Sequence, residues 1–312
     1  MRTTLAMAAA TALCVLKTAP AFAAGAELAA PEGGTQPILA SVDLDDLSGL
    51  SIEQLADIPV TSASKRAEPL SKAPTAMFVI TGEDIEQAGA QSLAGALRLA
   101  PNLDVQQIDA SQYAIAARGF NGLQAGNKLL ALIDGRSIYT PLASSIFWNL
   151  HQPMLEDIQQ IEVISGPGGT LYGPNAVNGV ISITSRDAQD TLGTLVRGTA
   201  GTGIQTIAAR HGFAIGQSGA MRIYGNWMDR EGLASPAAGN AIDDHYEGFQ
   251  AGFRADFVGA SDHVTVQGDL LRTDIDTASG DGAKAHNLLA RWSHVLSPSA
   301  SFQLQAYYDR FK

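Results

Sequence analysis

The chain has 312 residues, of which 31 are acidic and 20 are basic, so its formal net charge is −11 at pH 7. This balance argues against a nucleic-acid partner, because neutralising a phosphate backbone requires clustered Lys and Arg. The mean hydropathy is close to zero. Together with the absence of a long apolar run after residue 23, this value excludes a helical membrane protein but not a barrel of alternating strands.

The first 23 residues have the pattern of a secretory signal peptide. Arg2 precedes an alanine-rich apolar run, Lys17 ends that run, and Ala21-Phe22-Ala23 forms a small-x-small cleavage site. The run is shorter than the roughly 20 residues that a spanning helix needs. The single cysteine, Cys14, lies inside this segment. We therefore expect an exported mature chain without disulfide or metal-thiolate chemistry.

Residues 24–56 are rich in Ala, Gly, Pro and Thr at their start and lack a regular period, which predicts a flexible linker. Residues 57–63 follow as an acidic residue and a short β-prone run: Asp57, Ile58, Pro59, Val60, Thr61, Ser62 and Ala63. Such a run is suited to add as an extra strand to the sheet of a partner. The alternative is an ordinary linker before the first strand of the next domain.

Residues 64–187 predict a small α+β domain. Thr81 and Asp84 mark the start of a short helix after the β-branched run 76–81, and a second helix is expected over 92–99, before Pro101. Strands are expected at 103–107, 114–120 and 129–133. Asp134 and Gly135 predict a tight hairpin into 136–139.

Two β-branched runs, 161–164 and 180–184, flank a loop rich in glycine and proline. Glycine reaches positive φ without steric cost and proline locks φ, so the loop is expected to be convoluted but fixed. A phosphate-binding loop is improbable, because no Gly-Lys-Ser/Thr follows and the next segment is a strand rather than a helix.

Beyond residue 187 the chain alternates apolar and polar residues. Seven such segments begin near Leu192, Ile204, Met221, Tyr246, His263, Asn287 and Ser301. This period predicts antiparallel strands with one apolar and one polar face. From this region alone, a water-soluble β-sandwich and a transmembrane barrel are equally good interpretations.

The loop and its flanks resemble the plug domain of TonB-dependent outer-membrane receptors, which carry the segment R-G-P-x-x-x-x-Y-G-x-x-A-x-x-G-V-I-N-I. Ser165 and Ser182 replace the usual Arg and Asn, while eight positions match: Gly166, Pro167, Tyr172, Gly173, Ala176, Gly179, Val180 and Ile181. Further similarity lies at 78–85, 116–121 and 129–139. The resemblance implies a plug over 64–187, then the first seven strands of an outer-membrane barrel over 188–312.

By this resemblance, residues 57–63 are similar to the TonB box, the segment that would pair with the periplasmic domain of TonB. Two plug apices are expected to face a small-molecule or metal-chelate ligand, through Asp109, Ser111, Gln112, Tyr113, Tyr139, Phe147 and Trp148. For Phe147 and Trp148, packing inside the plug is an equal alternative. Structural roles are expected for Arg118, Gly119, Phe120, Asp134, Gly135, Gly166, Pro167, Tyr172, Gly173 and Gly179, with Arg118 pairing with carboxylates or lumen groups.

The functional expectation is energised uptake of a large scarce ligand, of the ferric siderophore or cobalamin class, by a monomeric barrel in the outer membrane of a Gram-negative bacterium. About 22 strands close such barrels, so seven would make this chain a fragment. No cofactor or catalytic group is expected, because nucleophile and metal motifs are missing from the sequence. His263 with Asp269 is a weak cation candidate. A soluble exported binding protein and a passive pore or adhesin are the alternatives.

Overall fold

The computed structural model describes residues 58–60, 68–73, 75–119, 128–140, 145–232, 244–275, 282–297 and 300–312. Its first part, up to residue 185, is an α+β unit, as the sequence predicts. The strands of this unit are β1 (Pro59–Val60), β2 (Glu68–Pro69), β3 (Met77–Thr81), β4 (Leu103–Gln107), β5 (Tyr113–Ala117), β6 (Leu129–Ile133), β7 (Arg136–Ser137), β8 (Ile158–Ser165) and β9 (Gly179–Ser185). Its helices are α1 (Gly82–Gln87), α2 (Leu93–Leu97) and α3 (Gly169–Tyr172), with short 3₁₀ turns at Leu70–Lys72, Trp148–Leu150 and Leu155–Asp157.

The two helices expected from the sequence both form. Thr81 caps α1: its hydroxyl accepts a hydrogen bond from the Asp84 amide at 3.1 Å, and the Asp84 carboxylate accepts one from the Thr81 amide at 2.8 Å. This reciprocal pair satisfies two amides that the helix itself leaves unpaired. Ser92 caps α2 through the Gly95 amide. The second helix ends at Leu97, two residues before the predicted end.

A five-stranded sheet organises the core of the unit, in the order β3-β8-β9-β6-β7. Only β6 and β9 run parallel; the other neighbours are antiparallel. Apolar side chains cover both faces, which explains why the β6 sequence is apolar at every position. The main cluster contains Ile80, Leu97, Ile161, Ile181 and Ile183, each at most 1% exposed. Leu130, Leu132, Ile164, Ala176 and Val180 form a smaller cluster.

The glycine-rich loop between β8 and β9 has a fixed and convoluted path, as predicted. Gly166 and Gly173 adopt positive φ angles of 112° and 78°. The Gly166 amide donates to the Asn178 carbonyl at 2.9 Å, and the Gly168 amide donates to the Ala176 carbonyl at 2.8 Å. One expectation was wrong: the loop contains a single turn of helix, α3, before the chain reaches the next strand. Four residues suffice for this turn, which is too short to show as a period in the sequence.

Gly179 and Gly169 provide a matched pair of substitutions in this loop. A Cβ added at Gly179 would lie 2.5 Å from the Ile164 carbonyl oxygen, whereas a Cβ at Gly169 would meet no atom within 4 Å. We expect Gly179→Ala to lower the free energy of unfolding by about 1–3 kcal/mol, because the main chain at Ile164 must move to make room for the added methyl group. Gly169→Ala should change it by less than about 0.5 kcal/mol. Urea unfolding of both variants tests the difference, and equal effects would contradict it.

After a 3₁₀ turn at Ala188–Thr191, seven long strands form one antiparallel sheet in chain order. They are β10 (Gly193–Gly201), β11 (Ile204–Ile215), β12 (Gly219–Arg230), β13 (Tyr246–Val258), β14 (Asp262–Ile275), β15 (Ala283–Ser297) and β16 (Ala300–Phe311). All seven predicted segments are present, and their starts lie within four residues of the expected positions. We call this sheet the meander.

The connections of the meander differ between its two ends. At one end the connections between strands are only two or three residues long, namely 216–218, 259–261 and 298–299, whereas the connections at the other end are 202–203, 231–245 and 276–282. We call these the short-turn end and the long-loop end. Outer-membrane barrels have short turns on the periplasmic side and longer loops outside. No helix in the described part of the chain is long and apolar enough to cross a membrane.

The two faces of the meander have opposite polarity. One face contacts the α+β unit through charged and amide side chains, among them Arg222, Arg254 and Gln267. The other face exposes large apolar side chains along the strands: Val196, Ile207, Phe249, Leu270, Leu288 and Leu304 are 50–70% exposed. Exposed apolar side chains in this number mark a surface that contacts lipid or another protein.

Candidate functional site

The turn between β4 and β5 is the first predicted ligand-facing apex, which we call apex 1 (residues 108–113). The Asp109 carboxylate accepts hydrogen bonds from the Ser111 amide and hydroxyl and from the Gln112 amide and side chain, at 2.6–2.9 Å. Asp109 therefore fixes the turn, and Ser111 is buried. Gln112 and Tyr113 are half-buried, while Ile108 is 41% exposed. Ligand contact by these residues stays a prediction.

Two meander residues hold apex 1 by its main chain. The Asp244 carboxylate accepts a hydrogen bond from the Ala110 amide at 2.7 Å, and the Arg230 guanidinium donates to the Ala110 carbonyl at 2.7 Å. Arg230 also donates to the Tyr113 hydroxyl at 2.6 Å and lies over its ring. Arg230 is the last residue of β12 and Asp244 lies near the end of the connection 231–245, so apex 1 lies at the long-loop end. Sequence reasoning missed them because contacts to a distant main chain leave no motif.

The second predicted apex includes Tyr139, Phe147 and Trp148. Trp148 is buried in the main core cluster, and Tyr139 packs partly against the same cluster. Trp148 therefore packs inside the α+β unit, which is the alternative to ligand contact that the sequence left open. Phe147 is 38% exposed and remains accessible to a ligand. Residues 141–144, between these aromatics, lie outside the described part of the chain.

Three residues of the predicted box are described, and all three contact the α+β unit. Pro59 and Val60 form β1, which pairs with β2, and Val60 is fully buried. The Gln160 side chain donates to the Pro59 carbonyl at 3.2 Å, and the Leu70 amide donates to the Ile58 carbonyl at 2.9 Å. Asp57, Thr61, Ser62 and Ala63 lie outside the described residues. Pairing of this segment with TonB stays a prediction.

The residues given structural roles occupy turns and close contacts. Asp134 and Gly135 form the predicted hairpin with φ angles of 50° and 76°. Arg118 and Gly119 also have positive φ, and Arg118 is exposed. Carboxylate pairing was expected for Arg118, but none of the ion pairs formed among the described residues includes it. Phe120 lies outside the described residues.

Asp134 connects the hairpin to the meander. Its carboxylate accepts hydrogen bonds from the Ser185 amide at 2.9 Å, the Ser185 hydroxyl at 2.8 Å and the Gln267 side chain at 2.8 Å. The Arg291 guanidinium donates to its carbonyl. Burial raises the pKa of Asp134, but the Arg254 charge and these hydrogen bonds outweigh burial and hold the pKa below its ordinary value.

Arg254 is the centre of a buried ion-pair network between the unit and strands β11–β13. Its guanidinium pairs with Asp256 at 2.7 Å and with Asp187, and it donates to the Ser185 hydroxyl at 2.7 Å. Nearby, Arg222 pairs with Asp157 at 3.0 Å, and Arg210 contacts the same carboxylate. We define this ion-pair network by its members: Asp134, Asp157, Asp187, Asp256, Arg210, Arg222 and Arg254.

Asp187, Asp256 and His263 bring ligand atoms within 4.8 Å of one another, the spacing of a metal site. Arg254, however, already contacts both carboxylates, so its guanidinium supplies the cation that the cluster requires. The His263–Asp269 pair considered from the sequence does not form. His263 faces Asp256 at 3.4 Å, while Asp269 accepts hydrogen bonds from Tyr224, Gln250 and Asn287.

An α+β unit held by ion pairs against the polar face of a long-stranded meander defines the architecture of TonB-dependent receptors. The model of the TonB-dependent Receptor Plug Domain matches residues 69–180. The α+β unit therefore matches the plug domain of TonB-dependent receptors, and a single antiparallel sheet of seven strands follows it. From here the α+β unit is called the plug.

Among curated proteins, the chain is similar to the Vitamin B12 transporter BtuB of Vibrio vulnificus (strain CMCP6), at 32% identity over 185 residues. This match covers 58% of the chain and 29% of the relative. The Vitamin B12 transporter BtuB of Photobacterium profundum is 25% identical over 255 residues, covering 81% of the chain and 40% of that relative. The chain thus spans well under half the length of these curated relatives.

Solved structures show the same fold. The ferric-catecholate import receptor Fiu from E. coli K12, in its closed form, aligns with a TM-score of 0.62 at 17% identity, covering 78% of the chain and 38% of the receptor. The copper transporter OprC aligns with a TM-score of 0.58 at 19% identity, covering 75% and 36%. These alignments confirm the predicted fold class, a plug followed by antiparallel strands of a receptor barrel.

Proposed function

We propose that the chain functions in TonB-dependent uptake across the outer membrane of a Gram-negative bacterium, after export by its signal peptide. The observation that carries this proposal is the opposite polarity of the two meander faces. The charged face holds the plug through the ion-pair network, and the apolar face is available to lipid. A soluble exported binding protein would leave that apolar face in water, so the lipid-embedded alternative is favoured.

The proposed ligand class is a molecule too large for passive pores, with cobalamin or a ferric chelate as the first candidates. The relatives named as vitamin B12 transporters and ferric-catecholate receptors support this choice. Apex 1 supports it as well, because it lies at the long-loop end, where a ligand would arrive from outside. The chain is proposed to bind and transport, with no catalytic step and no cofactor.

Energy for uptake is proposed to enter through residues 57–63, by addition of this segment as a strand to the periplasmic domain of TonB. In the structure β1 is paired with β2, so this addition requires the pair to open. The main-chain groups freed by opening would then bond to the sheet of TonB. Pro59 has no amide to donate, so it fits only with its nitrogen facing away from the partner.

Deletion of residues 57–63 tests the proposed function. We expect uptake to be lost while ligand binding is retained, because the ligand-facing apices lie elsewhere in the plug. The measurement is uptake of labelled cyanocobalamin and of ferric enterobactin by cells that express the receptor, with binding measured in parallel. Unchanged uptake would contradict the role of this segment as the energy-coupling element.

Substitution at apex 1 tests the proposed ligand contact. Tyr113→Phe removes the hydroxyl that accepts from Arg230, and Gln112→Ala removes a side chain that orders the turn. We expect the two changes together to weaken binding several-fold. Equilibrium binding of the same two probes is the measurement, and Lys72→Ala on the exposed 3₁₀ turn is the control. Unaltered dissociation constants would place the ligand site elsewhere.

A further inference from the structure

The apolar face of the meander carries a polar cluster at its short-turn end. Asp262, the first residue of β14, lies directly opposite His294 on β15, and His294 lies opposite Phe302 on β16. Trp292 lies opposite Leu304, one of the exposed apolar residues of that face. Directly opposed residues of an antiparallel pair share a face of the sheet. We call Asp262, Trp292, His294 and Phe302 the rim cluster.

Two side chains of the rim cluster hold the Asp262 carboxylate by the same oxygen. The indole N–H of Trp292 donates to Oδ1 at 2.8 Å, and Nδ1 of His294 lies 2.7 Å from the same atom. Within the described part of the chain, no hydrogen bond is made to the second oxygen, Oδ2. The Asp262 side chain is 48% exposed, which leaves the carboxylate accessible to a molecule outside the chain.

The charge of Asp262 is not balanced by an arginine or a lysine among the residues that the structure describes. Its ion pair is with His294, a group that is charged only when protonated. Asp274 lies an even number of residues further along β14, hence on the same face, and it pairs with Arg272 at 3.1 Å. The rim cluster therefore offers an external cation a carboxylate that no permanent cation already occupies.

Two aromatic rings border this carboxylate. The rings of Trp292 and Phe302 meet edge to face, with centroids 5.1 Å apart and planes at 85°. The two side chains are 41% and 40% exposed. The faces of such rings attract cations through their negative quadrupole. A carboxylate beside aromatic faces is suited to an ammonium group, because the carboxylate accepts its N–H donors and the rings contact its charge.

We propose that the rim cluster binds the headgroup of a phospholipid with a primary ammonium group, namely phosphatidylethanolamine. The ammonium donates to Oδ2 of Asp262 and lies against Trp292 and Phe302, while the acyl chains follow the apolar face past Leu304 and Leu288, which are 64% and 50% exposed. Choline has no N–H to donate, and a glycerol headgroup carries no positive charge. The proposal rests on the proposed function only in that this face lies in lipid.

Lipid binding to the purified full chain in dodecyl maltoside tests this site. Native mass spectrometry gives apparent dissociation constants for phosphatidylethanolamine, phosphatidylcholine and phosphatidylglycerol with identical acyl chains. Asp262→Asn removes the charge but keeps the shape and an oxygen that accepts from Trp292. Asp274→Asn is the matched control, because it changes the same residue type on the same strand and face, at 56% exposure. Trp292→Leu removes the ring and keeps an apolar side chain.

We expect the wild type to bind phosphatidylethanolamine at least about fivefold more tightly than either other lipid, a factor that corresponds to about 1 kcal/mol. Asp262→Asn should abolish this preference, and Trp292→Leu should reduce it at least about twofold, on the scale of an exposed cation–π contact. Asp274→Asn should leave the preference unchanged. Circular dichroism of each variant checks that the strands are retained.

Four results would overturn the proposal. Equal binding of phosphatidylethanolamine and phosphatidylglycerol by the wild type would show that there is no ammonium site. Equal binding of phosphatidylcholine would show that the carboxylate does not select the headgroup. An equal loss in Asp274→Asn and Asp262→Asn would assign the preference to the net charge of the face. A preference that Trp292→Leu leaves unchanged would remove the rings from the site.

The lipid measurement does not depend on ligand uptake. A chain that fails the uptake test but selects phosphatidylethanolamine would contradict the proposed function and retain the lipid site. A chain that imports ligand but does not discriminate between the three lipids would retain the function and contradict the site.

Discussion

Replacing Arg254 with alanine should destabilise the chain by about 3–5 kcal/mol, the cost of removing one partner from a buried ion pair. Its guanidinium is the shared partner of Asp256, which is fully buried, of Asp187, and, at 3.8 Å, of Asp134. Alanine would leave these carboxylates without their nearest cation. Urea unfolding followed by circular dichroism measures the loss.

Two further variants separate charge burial from the general effect of losing an arginine. Arg272→Ala removes a pair whose side chains are 65% and 56% exposed, so its effect should stay within about 0.5 kcal/mol. Arg254→Ala combined with Asp256→Ala removes a buried charge together with its partner and should recover part of the stability. If Arg254→Ala proves as mild as Arg272→Ala, the ion-pair network does not hold the plug.

Acidification from pH 7 to pH 5 should destabilise the chain by about 2 kcal/mol through His151 alone. Burial, with the nearby Arg136 charge, lowers the pKa of His151 to about 3, although a hydrogen bond with the Ile138 backbone opposes the shift. In the unfolded chain, histidine takes up a proton near its ordinary pKa of about 6.5. Below that pH the unfolded state binds a proton that the folded state excludes, so stability falls until about pH 3.

The measurement is the free energy of unfolding at several pH values between about 7 and 5, the range in which unfolded histidine titrates, for the wild type and for His151→Gln. The variant should lose less stability over this range, because it has no imidazole to protonate on unfolding. His211→Gln, at an exposed position on β11, is the matched control and should keep the wild-type slope. Identical slopes for the wild type and His151→Gln would show that another group governs the acid response.

The sequence was sufficient to predict the elements of the fold because those elements depend on local chemistry. The cap at Thr81, the Asp134-Gly135 hairpin and the alternation of the seven strands are each set by neighbouring residues. The one-turn helix α3 escaped prediction, since four residues cannot display a helical period. The second helix ends at Leu97, two residues before its predicted end. Pro101 only sets the last position that a helix can reach, and packing decides where the helix ends before that position.

The interface between plug and meander was not predictable in the same way. Arg254 and Asp134 are 120 positions apart in the sequence, and no spacing or motif relates them. The same holds for Arg230 and Asp244, which bind the Ala110 main chain from the meander. Nor did the sequence indicate that the Asp109 carboxylate accepts hydrogen bonds from Ser111 and Gln112 within its own turn.

The attachment of Ala110 through its amide and carbonyl has an evolutionary consequence. Main-chain groups are the same whatever side chains a turn carries, so mutations at the exposed neighbour Ile108 leave both anchoring contacts intact. Under the proposed function, descendants of this chain can therefore change the surface of apex 1 at Ile108 without first rebuilding the support beneath it.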